Sequence, residues 1–388
     1  MNDDATHRGE TAVLAADLLF DGATLRRDHA IVLRDGEIAD LVPRRQLAPT
    51  LAANAPAPGS LLAPGFVDAQ VNGGGGVLLN DAPTAAGIAQ IVASHRRLGT
   101  TSLLPTLITD TPDTLDKLAD AAAAQPIAGV AGFHLEGPFI SPTRVGIHPP
   151  QSVARLDAAG KSALLRFAEF GRSLVTLAPE EVPAGSVAEL VAAGLRVAAG
   201  HSAADAAAFR RALDEGLTGV THLFNAMAPI SARAPGIAGV AFDDARVFAS
   251  LICDLLHVDP LVVRMAYRLM GPERLFFVSD AMPSVGSDTK SFDVLGRKVK
   301  LIDGKLTSAD GTLAGAHLDM AGAVRNAVLH VGISLVDALT MACATPAKFL
   351  GLEDRLGQLA RGRKADIVEL DAALQVQRVW ADAASLSA

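Results

Sequence analysis

Four side chains in this sequence could carry out hydrolysis together: Glu136, His201, His222 and Asp280. Each closes a short apolar run, in "GFHLEG", "LRVAAGHS", "GVTHLFN" and "LFFVSDA". Two imidazoles and a carboxylate are the donors of a catalytic divalent ion that keeps one position open for water. An ion so held brings the pKa of its water toward neutrality. Asp280 is then the group to take a proton from that water and return it to a leaving group. His134 lies two residues before Glu136, on the same strand face, and reads as a support for the ligands.

A second stretch bears on how many ions such a site would hold. In "LLAPGFVDAQVNGGGG", alternation on a strand turns Asp68, Gln70 and Asn72 to one side. Neutral amides are poor ligands for zinc-like ions, so a second metal position here is weak or absent. Gln70 and Asn72 are expected to hydrogen-bond the site's own groups. The run Gly73–Gly76 fits neither a dinucleotide nor a P-loop pattern and reads as a tight turn.

The elements that must position these residues alternate. From about Pro64, apolar β-like runs are followed by helical segments of roughly ten to fifteen residues, the signature of a parallel sheet. The runs ending near Gln70, Thr109, Glu136, Glu180, His201, Asn225, Asp254 and Asp280 make eight strands, which predicts a (β/α)8 TIM-type barrel. Gly99, Gly171, Gly194, Gly216 and Gly271 stand where helices should stop. In such barrels the chemistry sits at the C-terminal ends of the strands, where these acids and imidazoles collect. "FDVLGRKVKLIDGKLTSADG" reads as a hairpin excursion. The strand-like residues 1–63 and 357–388 predict a small β-sandwich domain built from both chain ends, leaving 64–356 to the barrel.

Bulk composition excludes other classes. The 388 residues are 50% apolar and 20% charged, with a net charge of −8 and no basic block, so nucleic acid is not an expected partner. No apolar run is long enough for a membrane span, and the acidic start shows no signal peptide. Cys253 and Cys343 fit no metal or redox spacing, which suits a cytoplasmic setting.

"LAPGFVDAQVNGGGG", "GFHLEGPFIS", "GHSAAD", "THLFNAM", "DLLHVD", "VSDAM" and "TLAGAHLDM" stand in the order found in the N-acetylglucosamine-6-phosphate deacetylases of the amidohydrolase superfamily, and the chain resembles that family from about Leu61 onward. The resemblance implies removal of the acetyl group from N-acetyl-D-glucosamine 6-phosphate, giving D-glucosamine 6-phosphate and acetate. It implies Glu136, His201 and His222 as metal ligands and Asp280 as the catalytic acid/base. His148 would polarise the acetamide carbonyl, with Ile147 beside it. Asn225, Ala226, His257, Leu313, Ala314 and Gly315 would contact the phosphorylated sugar. Arg233 would bind phosphate across a homodimer interface, in the neighbouring site. One divalent ion per chain is expected, zinc first, with iron, manganese or cobalt as alternatives. Many relatives carry His-x-His where this chain has Gln70 and Asn72, so the amides mark a one-metal subclass. The family usually has glycine where Leu255 stands, which would strain the turn before His257 if that position has positive φ. Alternatives are deacetylation of N-acetylgalactosamine 6-phosphate, another amidohydrolase activity, or a non-catalytic barrel scaffold. A cyclic amidohydrolase is disfavoured because "SLVTLAPE" lacks a strand-four lysine.

Overall fold

The computed structural model describes residues 11–47, 58–381 and, for the backbone, 384–387. The first ten residues, with the acidic N-terminal stretch, lie outside the described residues. Eight parallel strands form the barrel: β1 Phe66–Val71, β2 Thr100–Ile108, β3 His134–Glu136, β4 Leu174–Leu177, β5 Arg196–Ala199, β6 Gly219–Val220, β7 Phe248–Ile252 and β8 Leu275–Val278. They pair in chain order, β1 to β8. The seam between β8 and β1 closes just beyond the strand ends. There Asp280 N–H donates to Gln70 O at 3.0 Å, and Val71 bridges Ala281 in parallel.

Burial explains the apolar runs: all nine residues of β2 and all six of β1 are buried, as expected for strands covered on both faces. The helices between them start on side-chain caps. Thr84, Thr111, Asp157, Asp205 and Asp259 each accept a backbone N–H from the first turn. Asp205 thus starts the helix Ala206–Asp214 as its cap. The stop at Gly271, after α7 (Pro260–Met270), adopts φ 71° and donates its N–H to Tyr267 O.

Both chain ends do meet in a sandwich. Strands 384–387, 376–381, 367–370, 61–64, 18–20 and 25–27 make one sheet in that order. Strands 11–15, 29–34 and 37–43 make the other. Ile31 and Ile38 from one sheet and Leu19, Leu62 and Ile367 from the other share an apolar cluster.

The excursion after β8 differs from expectation. It is a three-stranded antiparallel sheet, Ser291–Val294, Arg297–Ile302 and Lys305–Ser308, where a single hairpin was expected. Its second turn, Asp303-Gly304, is a visible hairpin signal, but its first places Leu295 at φ 49°, against that residue's preference. A separate apolar cluster, including Ile147, Val294, Val299, Leu306 and Ala314, holds this sheet over the barrel mouth.

The glycine run behaves as a turn. Gly73–Gly74 pairs with Val77–Leu78, and the N–H groups of Gly75 and Gly76 are spent on Val285 O and Pro283 O. A Cβ on Gly74 would meet His95 Nε2 at 2.7 Å, so close packing requires the missing side chain.

Candidate active site

Glu136 closes β3, whereas His201, His222 and Asp280 stand two positions past β5, β6 and β8, in a backbone conformation local sequence does not favour. His201, His222 and Asp280 have φ of 47°, 33° and 51°. Left-handed non-glycine residues cost about 1–3 kcal/mol each and cluster where function holds them. Neighbouring groups secure each one. His222 N–H donates to Ser250 Oγ at 2.8 Å, and Ser141 N–H donates to His201 O at 2.8 Å.

Their side chains converge. His222 Nε2 lies 2.8 Å from Glu136 Oε1 and 3.1 Å from His201 Nε2, and His201 Nε2 lies 3.3 Å from the same carboxylate oxygen. Adjacent donors on a tetrahedral ion with bonds of about 2.1 Å would be roughly 3.4 Å apart, so these three suit a shared divalent cation. Two imidazole nitrogens facing each other 3.1 Å apart beside a carboxylate share either a proton or a cation between them. Glu136, His148 and His201 also make a cluster within 4.8 Å. His148 Nε2 stays 4.0 Å from Glu136, farther than His222 Nε2 at 2.8 Å. His201 is oriented by Arg144 O, 2.9 Å from Nδ1.

The amides do hydrogen-bond the site. Gln70 Nε2 donates to both oxygens of Glu136, at 3.2 and 3.1 Å, and to Asp280 Oδ1 at 3.0 Å. Asn72 Nδ2 donates to Asp280 Oδ1 at 2.6 Å. Gln70 Oε1 and Asn72 Oδ1 are buried without a partner among the described residues, so each has an acceptor free. Asp68 lies deeper, its carboxylate receiving Ser279 N–H across the barrel seam at 3.2 Å. His134 is fully buried between Thr106 and Thr176, with Nε2 at 2.7 Å from Thr176 Oγ1, so both its ring nitrogens face threonine hydroxyls.

Burial dominates the titration behaviour. It pushes Asp280 up to about 6, reinforced by the Glu136 charge. Burial would also raise Glu136, but hydrogen bonds from His201 and His222 outweigh it and hold the group well below the usual carboxylate range. Burial opposes protonation of His222, yet contact with Glu136 raises its pKa. Burial, then the nearby His201, drives His148 well below the usual histidine value, and burial takes His134 down to about 4.

A cavity of about 420 Å³ opens over this cluster. Glu136, His201, His222 and Asp280 line it, with Asn72, Ile147, His148, Asn225, Ala226, His257, Leu313 and Gly315. Ala314 lies under the loop, fully buried in the cluster beneath the small sheet. Arg233 is exposed, on a loop outside the cavity lining. Leu255 does have positive φ, 65°, and the turn holds nonetheless: Asp254 Oδ1 accepts from His257 N–H at 2.8 Å, and Oδ2 lies 2.7 Å from His257 Nδ1. Sequence reading did not find Thr109, 2.8 Å from His148 Nδ1, or Arg144 on the cavity wall. Thr109 ends the second apolar run, and that position was its one available signal.

Acid/base and ligand side chains gathered at a barrel mouth define a metal-dependent hydrolase. Residues 61–385 match the amidohydrolase family, and the chain belongs to it. The chain is 38% identical to an N-acetylgalactosamine-6-phosphate deacetylase of Shewanella sp. (strain ANA-3), over 94% of each chain. It is 38% identical to the N-acetylglucosamine-6-phosphate deacetylase of Mus musculus, over 83% of this chain and 82% of that one. The crystal structure of the Pasteurella multocida N-acetylglucosamine-6-phosphate deacetylase superposes with a TM-score of 0.93 at 29% identity, covering 98% of this chain and all of that one. A mutant of the Mycobacterium smegmatis enzyme in complex with N-acetyl-D-glucosamine-6-phosphate gives 0.91 at 33%, with 98% and 100% coverage. The resemblance read from the motifs is borne out, and the chain is a hydrolase of amide bonds.

Proposed function

We propose that this chain removes the acetyl group of N-acetyl-D-glucosamine 6-phosphate, releasing D-glucosamine 6-phosphate and acetate. The observation that carries the reading is one cavity in which Asp280 meets the Glu136/His201/His222 cluster at one end and Ile147, His148, Asn225 and His257 along the walls. A divalent ion held by Glu136, His201 and His222 would activate water and polarise the amide carbonyl. Zinc is the first choice, at one ion per chain, with iron, manganese and cobalt compatible with the same donors. Asp280, raised by burial, accepts the proton of the attacking water and passes it to the departing amine nitrogen. Thr109 donating to Nδ1 would leave His148 neutral, with its Nε2 proton for the carbonyl oxygen. Gln70 and Asn72 aim Asp280 and occupy the side where a second ion would sit.

The test is release of free amine from N-acetylglucosamine 6-phosphate by protein loaded with zinc, iron or manganese; no release with any of them refutes the reading. Metal analysis is expected to return about one ion per chain, and a value near two would overturn the role given to the amides. A second reading, the galactosamine epimer as preferred substrate, is supported by the Shewanella relative's name. Comparing kcat/KM on the two epimers decides it.

Arg233 serves phosphate only if a second copy brings it to a neighbouring cavity. Supporting this, helix α7 exposes the stripe Leu261, Met265 and Leu269, spaced by four, and packs against the helix Gly236–Asp243 that follows the Arg233 loop. Arg233→Ala is expected to raise KM for the phosphorylated sugar about tenfold with a smaller change in kcat. An unchanged KM removes Arg233 from the site, and a monomer in solution removes the shared arrangement. Among the described residues no helix is long and apolar enough to cross a membrane. Cys253 and Cys343, both buried and unpaired, support the cytoplasmic assignment. We take 1–63 with 357–388 as the small domain and 64–356 as the barrel.

A further inference from the structure

We propose that Asn72 contacts the substrate: its Oδ1 accepts the N–H of the acetamido group and so turns the nitrogen lone pair toward Asp280. This rests on the substrate reading above. Asn72 lines the catalytic cavity and is 3% exposed. Its Nδ2 donates to Asp280 Oδ1 at 2.6 Å, which fixes the sense of the amide, because an amide oxygen there would oppose a carboxylate oxygen. Gln70 Nε2 donates to that same oxygen at 3.0 Å, so Asp280 Oδ2 is left to carry the proton. The amide oxygen of Asn72 is buried and has no hydrogen-bond partner among the described residues. Gln70 Oε1 shares that condition, but Gln70 does not line the cavity. An unmatched buried acceptor is costly, and a substrate N–H entering beside Asp280 would satisfy it.

The backbone holds this side chain in place. Asn72 O accepts from Leu79 N–H at 2.9 Å. The next residue, Gly73, donates its N–H to Ala281 O at 2.9 Å, and its carbonyl oxygen lies 3.0 Å from His95 Nε2. Asn72 is thus tied to the glycine turn and to the residue that follows Asp280. The chemistry gives a reason to hold the N–H. In an acetamide the nitrogen lone pair is delocalised into the carbonyl and is not basic. Water adds to the carbonyl carbon and its proton passes to Asp280, leaving a pyramidal nitrogen whose N–H and lone pair point apart. The C–N bond then breaks as Asp280 returns the proton to that lone pair, giving acetate and the free amine. With Nδ2 on Asp280 and Oδ1 on the substrate N–H, one planar amide orients both partners of the proton transfer.

The experiment measures kcat/KM of metal-loaded wild type, Asn72→Ala and Asn72→Leu on N-acetylglucosamine 6-phosphate and on 2-O-acetyl-D-glucose 6-phosphate, an ester in which oxygen replaces the N–H. Both variants lose the bond to Asp280, which slows both compounds, but only the amide also loses the N–H contact. Each variant is therefore expected to lose about tenfold more on the amide than on the ester. Metal content equal to that of wild type shows that the ion site is intact, and Asn72→Leu supplies the test if the smaller alanine leaves the chain unfolded. Equal losses on the two compounds would confine Asn72 to supporting Asp280 or the attacking water and overturn the proposal, as would undiminished turnover of the amide. Wild type that fails to release amine from the phosphorylated sugar would instead defeat the substrate reading, a distinguishable result.

Discussion

Asp280→Asn is expected to lose roughly 10²-fold or more in kcat while keeping its metal and its fold. The substitution is nearly isosteric, so Gln70 Nε2 and Asn72 Nδ2, at 3.0 and 2.6 Å from Oδ1, still have an oxygen to donate to. What disappears is a carboxylate able to hold a proton between water and amine. Stability should not suffer. Burial raises the pKa of Asp280 to about 6, so above that pH the folded chain carries a charge it holds less favourably than the unfolded chain does. That unfavourable contribution grows as pH rises from the ordinary carboxylate range through about 6, and an amide removes it. Kinetics, metal content and thermal melting on one preparation test all three parts. An Asn variant with near wild-type turnover would show that another group moves the proton.

His222→Ala should remove the ion as well as the activity. His222 Nε2 is the donor that approaches both Glu136 Oε1 and His201 Nε2, and without it one imidazole and one carboxylate remain. Loss of a supporting partner behind a ligand costs about 10–100-fold in metal affinity, and loss of the ligand itself should cost more. Protein dialysed against buffer and analysed for metal is expected to fall well below one ion per chain. The barrel should persist, since the backbone N–H of residue 222 keeps its bond to Ser250 Oγ. Circular dichroism checks that point, and full metal retention in a folded variant would strike His222 from the donor set.

The two variants separate what could be read at different levels. Gln70, Glu136 and the barrel order were legible because each apolar run carries its polar residue at or near a strand end, and the βα rhythm puts those ends on one rim. Asp254 was legible only as a strand end; its grip on His257 depends on a turn in which Leu255 takes φ 65°. Strand six illustrates a limit. The run "GVTHLFN" suggests a strand reaching Asn225, but the ladder stops at Val220. His222, Phe224 and Ala226 then turn left-handed, which no local preference of those residues indicates. The first turn of the small sheet was missed because a leucine occupies it at φ 49°, which left only the Asp303-Gly304 hairpin visible.

By itself, the sequence determined the donor types, their order along the chain and the alternation that makes a parallel barrel, since these follow from side-chain chemistry and periodicity. Tertiary structure decided which atoms meet. Gln70 reaches Asp280 across 210 residues of chain and Glu136 across 66, distances over which only barrel closure brings groups together. It also decided the left-handed turns at His201, His222 and Asp280, because their cost is met by contacts from other strands. The same holds for the Arg144 loop, whose position is set by His201 and Arg297, both remote in sequence.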